Sequence, residues 1–275
     1  MARKKKKPPL PVLSPGNGVI DTHCHLDMSA GEEEVDIIIH SANAAGVKQI
    51  ITVGIDLQSS QKAVQYAERH PGVYATIGVH PHNVASITDT YIEQLIKLAE
   101  HHKVVAYGEI GLDFVKLHAP KKTQLEQFER QVGLAGNLGL PLVIHDRQAH
   151  DDILQILKNS SPFPAGGVMH CFSGDLQFAE EILALGFYIS IPGVVTFNKA
   201  YELQKVAQHI PLASLLIETD APFLAPVPMR GRRNKPDYVL YTAQKIAELQ
   251  GTSLDEVARI TTANAVKLFL DSKHN

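Results

Sequence analysis

From Val19 onward the chain alternates between two kinds of segment, and this alternation limits its fold more than any other feature. Short β-rich apolar runs recur eight times: VIDTHCHL (19–26), VKQIITVG (47–54), VYATIGVH (73–80), VVAYGEIG (104–111), PLVIHD (141–146), GGVMHCFSG (166–174), FYISIPG (187–193) and LLIETDAP (215–222). Between them lie segments such as SSQKAVQYAERH and TQLEQFERQVGLAGNLG, where apolar residues return every three or four positions, the spacing of an amphipathic helix. Thr88 and Ser59 suit helix N-caps, and Gly46, Gly139 and Gly186 suit the position just past a helix end. Eight strand-then-helix units predict an α/β chain folded as a single (β/α)8 TIM barrel over residues 19–275. An open doubly wound sheet would carry a Gly-rich first turn, and the first turn here, HLDMSAGEEE, has no GxGxxG.

Residues 1–18 stand apart. RKKKKPPLPVLSPGNG is basic and Pro-rich with little to bury, so 1–18 reads as a flexible tail, either a tether for acidic surfaces or a solvated extension. The whole chain carries a formal charge of −3. Without the five basic residues of the tail, 21 Lys and Arg face 29 Asp and Glu, a body of −8, so any polyanion must be attracted locally. Two cysteines, Cys24 and Cys171, make no disulfide framework, and Pro-rich sequence replaces the apolar core of a signal peptide. These features read as cytoplasmic, and the absence of 18 consecutive apolar residues argues against a membrane span.

In a barrel of this kind the C-terminal ends of the strands build the active site. The polar residues falling there are His23 and His25 on the first strand, His80 on the third with His82 after it, Glu109 on the fourth, His145 on the fifth, His170 on the sixth and Asp220 on the eighth. Period-2 geometry turns His23 and His25 to one face, toward the barrel axis, and Thr22 and Cys24 toward the helices. Imidazoles mixed with carboxylates are the ligand set of divalent metals, and burying so many without metal would cost several kcal/mol per unpaired charge. His23, His25 and Asp220 would hold one ion, His145 and His170 a second, with Glu109 bridging. Two such ions favour an anionic substrate, phosphate esters above all, and Asp220 is also placed to accept a proton from the attacking water. Imidazole-rich ligation suits Zn, Fe or Mn, while Mg prefers oxygen. The remaining histidines, His40, His70, His101, His102, His118, His150, His209 and His274, fall on helices, loops or the tail and read as surface residues or caps.

The signatures DTHCHLD, GVHPH, GEIGLDF, LPLVIHDR, HCFSG, ETDAPFLAPVPMRGRRNKP and TTANAVKLF, in this order, resemble the TatD-type metal-dependent deoxyribonucleases. The resemblance spans essentially everything after residue 18. It implies that His23, His25, Glu109, His145, His170 and Asp220 are metal ligands, with two divalent ions per chain. It also implies that His80 helps hold the phosphate or water, and that the reaction is 3′ to 5′ hydrolysis of DNA, single-stranded or at an end. Glu109 stands where many related hydrolases place a carboxylated lysine. Phe114, Asp146 and Met229 depart from the commonest family pattern, and none is an expected ligand. Arg232 and Arg233, in a loop that also holds Arg230 and Lys235, read as a phosphate clamp or as a solvated loop, and Arg147 adds a further contact. Two other readings stay open: hydrolysis of an amide, ester or aminoacyl-tRNA substrate by the same metal chemistry, and a non-catalytic metal-binding scaffold.

Overall fold

The computed structural model describes residues 9–29 and 31–271. Eight strands, β1 (Val19–Cys24), β2 (Val47–Val53), β3 (Val73–Ile77), β4 (Val104–Asp113), β5 (Leu142–Arg147), β6 (Gly167–Met169), β7 (Phe187–Ile191) and β8 (Leu215–Ile217), pair in parallel in sequence order. Helices α1 (Glu32–Ala44), α2 (Leu57–Arg69), α3 (Asp89–Ala99), α4 (Lys121–Leu138), α5 (His150–Ser160), α6 (Leu176–Ala184), α7 (Tyr201–His209) and α8 (Val239–Gln250) follow the strands in turn, and α9 (Leu254–Ala265) ends the fold. The barrel closes between its first and last strands: the Thr22 hydroxyl donates to the Ile217 carbonyl (3.0 Å), and the backbone N–H groups of Asp220 and His25 donate to the carbonyls of His23 (2.9 Å) and Ala221 (2.7 Å). This is the expected TIM barrel.

Local chemistry explains the boundaries. Thr88 caps α3 by accepting from the Tyr91 N–H, as expected. Ser59 is not a cap. Asp56 caps α2, and Ser59, the third helical residue, closes its capping box: the Ser59 hydroxyl accepts from the Asp56 N–H (3.0 Å) while the Asp56 carboxylate accepts from the Ser59 N–H (2.7 Å). Gly46, Gly139 and Gly186 all have positive φ, which only glycine adopts freely.

Two apolar cores hold the barrel. The larger lies between sheet and helices and includes Tyr66, Leu95 and Phe128. The smaller fills the lumen with Ile20, Ile51, Val105, Val143, Val168 and Leu216, joined by Leu268 and Phe269 from just beyond α9. Val143, Val168 and Leu216 each precede by two residues a polar side chain, His145, His170 and Glu218, so alternation along β5, β6 and β8 stacks a polar layer on an apolar floor.

On β1 the alternation breaks. Cys24 packs in the outer core as expected, but the Thr22 hydroxyl lies 3.5 Å from that of Ser190 on β7, so Thr22 points into the barrel, not at the helices. The cause is the irregular register of β1 against β2 between Asp21 and Cys24, which rotates the strand before His23.

Of the expected tail, residues 1–8 lie outside the described residues. Leu10 and Leu13 pack on the outer core, and Ser14 donates from both its N–H (3.0 Å) and its hydroxyl (2.6 Å) to Asp255 on α9. No helix among the described residues is long and apolar enough to cross a membrane.

Candidate metal centre

Strand ends bring His23, His25, His80, Glu109, His145, His170 and Asp220 together at one mouth of the barrel, all buried except the part-buried His145. Glu109, on β4, is the hub, and its two oxygens face different groups. Oε2 lies 3.5 Å from His23 Nε2 and 3.8 Å from His25 Nε2. Oε1 lies 2.8 Å from His145 Nδ1, 3.4 Å from His170 Nε2 and 3.6 Å from His80 Nε2. Asp220 Oδ1 completes the first group at 3.5 Å from His25 Nε2 and 3.9 Å from His23 Nε2, which are themselves 3.4 Å apart.

Most of these separations are too long for hydrogen bonds. They match the edge of a tetrahedron whose centre binds N and O ligands at about 2.1 Å, which is about 3.4 Å. The outward ring nitrogens agree. His25 Nδ1 faces the Val53 carbonyl at 3.3 Å, His170 Nδ1 faces Glu218 at 3.0 Å, and His145 Nε2 faces Asp113 at 3.5 Å. The His25 contact is a hydrogen bond that keeps a proton on Nδ1 and leaves Nε2 toward the centre, while His170 and His145 have a carboxylate beside the outer nitrogen without bonding geometry, the placement from which outer carboxylates orient metal-binding imidazoles. The donor set therefore fits divalent metal.

His80 differs. Its Nδ1 accepts the His82 backbone N–H (3.1 Å), so its proton sits on Nε2 and it presents a donor to the site instead of a lone pair. Burial also holds its pKa well below the usual value, keeping it neutral.

Asp220 is held in a strained backbone, φ 55, for which a non-glycine residue needs support. Asp21 supplies it, accepting from the Thr219 N–H (2.9 Å) and hydroxyl (2.6 Å), and Asn234 Nδ2 donates to the Thr219 carbonyl (2.7 Å). Glu218 accepts from the Ser190 hydroxyl (2.6 Å) and the Cys171 N–H (2.7 Å), which fixes its carboxylate against His170. Asp113 accepts from His82 Nε2 (2.9 Å) and the Val115 and Lys116 N–H groups, which together with His145 overcome burial and hold its pKa low. Sequence reasoning missed Asp21, Asp113 and Glu218 as parts of the site. The only linear signal is parity: Asp113 stands four residues beyond Glu109, and Glu218 two before Asp220.

Without metal, the site charges itself with protons. Burial opposes a proton on His25 and on His145, but Asp220 and Glu109 beside the first, and Asp113 and Glu109 beside the second, push both up to about 9. Burial and the neighbouring His170 hold His23 down to about 3. Ligation needs neutral imidazoles, so at pH 7.5 metal must displace the protons of His25 and His145. Burial opposes a proton on His170 too, but Glu218 and Glu109 raise it, so loading the metal-free protein in weak buffer should release about two protons per chain or more, and affinity should climb with pH until about 9. An indicator-dye titration reads this directly, and metal uptake without proton release would contradict it.

The cationic residues lie at the rim. Arg147, Arg232 and Arg233 are exposed. The Arg233 guanidinium donates to the Met28 carbonyl, tying the loop after β8 to the loop after β1. Asn234, buried, anchors the same loop through its N–H to the Pro222 carbonyl (3.0 Å).

A parallel eight-stranded barrel with imidazoles and carboxylates gathered at its strand ends defines a barrel-type metal-dependent hydrolase. The profile of the family described as "TatD related DNase" matches residues 20–270, and the chain belongs to that family. It is 41% identical over 251 residues to the Bacillus subtilis protein named uncharacterized metal-dependent hydrolase YabD, covering 91% of this chain and 98% of that one. It is 35% identical to the protein of Cronobacter sakazakii named 3′-5′ ssDNA/RNA exonuclease TatD, covering 92% and 98%. The solved structure of the TatD homologue YjjV from Escherichia coli K12 superposes with a TM-score of 0.86 at 34% identity, covering 91% and 97%.

Proposed function

We propose that this hydrolase is a two-metal deoxyribonuclease that cleaves phosphodiester bonds at DNA ends, 3′ to 5′, on single strands. The observation that carries the reading is the division of Glu109, with Oε2 toward His23 and His25 and Oε1 toward His145 and His170. A carboxylate facing two imidazole sets suits two cations, held by His23, His25 and Asp220 on one side and by His145 and His170 on the other. Bound there, divalent ions such as Zn, Mn or Mg would supply Lewis acidity, making water a better nucleophile and polarising a phosphoryl oxygen. The exonuclease name of the Cronobacter relative supports the same substrate class.

The chain's own residues then divide the work. Asp220, at the rim of the buried set, accepts the proton of the attacking water through its second oxygen. His80 donates from Nε2 to a phosphate oxygen. Arg147 and Arg232 pair with flanking phosphates. Arg233 contributes charge while its guanidinium holds the loop to Met28.

The test is cleavage of end-labelled single-stranded DNA by the chelator-treated protein after Mg²⁺, Mn²⁺ or Zn²⁺ is restored. Stepwise shortening from the 3′ end is expected, with inhibition by inorganic phosphate and a steep loss of binding with added salt, because the acidic body gives no other attraction. No cleavage under any metal, with metal demonstrably bound, would overturn the reading and favour an amide or ester substrate.

A further inference from the structure

The loop after β8 runs from Asp220 to a second feature of the same face. Phe223 is half exposed, and its ring centroid lies 6.0 Å from that of His25, so the chain leaves the metal centre along an aromatic edge. Beyond it the Val227 N–H donates to the Thr196 hydroxyl (2.8 Å), joining this loop to the one after β7. Between the two loops opens a pocket of about 480 Å³. Phe197 and Arg230 form one wall, the guanidinium 4.3 Å from the ring centroid, with Val194, Val227 and Lys199 around it. Among the described residues, no carboxylate lines it. On a body of net −8, an apolar pocket with two cations and no anion is a local exception.

We propose that this pocket is a nucleotide subsite, in which a base of the substrate strand stacks on the wall formed by the Phe197 ring and the Arg230 guanidinium over it, and the adjoining phosphate pairs with Arg230 and Lys199. The inference rests on the nucleic-acid reading of the metal centre. Its volume falls within the roughly 300–1,000 Å³ of small-molecule sites. An aromatic face accepts any base, while guanidinium and ammonium groups supply the backbone contact, the combination that holds single strands without reading sequence. Duplex DNA keeps its bases stacked and cannot offer one to Phe197, so the pocket selects unpaired strands.

The experiment measures binding of phosphorothioate-linked hexanucleotides, which resist cleavage, to the metal-loaded protein by fluorescence anisotropy. Each oligonucleotide carries a single abasic position, moved along the strand. One position is expected to raise Kd about tenfold in the wild-type protein and to have no further effect in Phe197→Ala, with Phe197→Tyr restoring the wild-type pattern. Arg230→Gln, at an exposed position, should weaken every oligonucleotide and lower the salt slope by about one. Abasic effects that are the same in wild type and Phe197→Ala at every position would overturn the subsite, as would failure of the wild-type protein to bind any of the strands. Binding is read separately from turnover: coupling without cleavage sinks only the nuclease reading, and cleavage without coupling sinks only the subsite.

Discussion

Glu109→Gln is expected to lower kcat on the order of 10³-fold or more and to reduce the metal content of the purified protein. The substitution preserves volume and changes two things. It replaces one ligating oxygen by an NH₂ group, which has no lone pair for a cation. Among the described residues, it also removes the only negative charge that lies within 4 Å of His23, His25, His80, His145 and His170 together. Whichever way the amide turns, one of the two imidazole sets loses its oxygen. The same change removes a carboxylate that pushes His25 and His145 up to about 9, so proton release on metal loading should fall along with the metal content. Elemental analysis, the indicator titration and kcat check the three consequences, and a variant with full metal and activity within tenfold would contradict the hub role.

Gly111→Ala is expected to destabilise the fold by about 3 kcal/mol or more, roughly the sum of backbone strain and overpacking. Gly111 pairs with His145 across β4 and β5 and has φ 145, a region that side-chain-bearing residues rarely enter. A Cβ there would run into the His145 backbone carbonyl. The strands can part only by moving His145, so metal affinity should fall with stability. Gly136→Ala is the control. It lies on α4, where a Cβ would meet nothing within 4 Å, and should stabilise by about 0.5–1 kcal/mol through helix propensity. Chemical denaturation of both variants compares them, and equal stability of Gly111→Ala and the wild type would refute the close-approach argument.

Much of the site is legible in the order of residues alone, because a strand has only two faces and a barrel uses one end. Once the eight runs are recognised, His145, His170 and Asp220 fall at strand ends by counting. His23 and His25 follow from the same counting, but the chain reaches their positions through a register irregularity that also turns Thr22 inward, against the simple alternation. Ser59 shows a similar limit. Its sequence context marks a helix start, but whether it or Asp56 is the cap depends on which side chain reaches a particular N–H. Arg233 reads as a phosphate ligand because it is basic and near Asp220, and only the folded loop reveals its bond to the Met28 carbonyl.

The sequence by itself determined the architecture and the kind of chemistry. Hydrophobic period and segment length decide strand from helix, and the side chains at strand ends decide what can be ligated there; both are properties of the chain's order. Tertiary structure alone decided how those side chains address one another: which oxygen of Glu109 faces which imidazoles, that His80 offers a proton to the site, and that Asp113 and Glu218 stand beside the outer nitrogens of His145 and His170. The physical reason is that ring tautomers and ligand spacings are set by through-space partners within about 4 Å, brought together by barrel closure from residues up to about two hundred positions apart, and no linear periodicity encodes them.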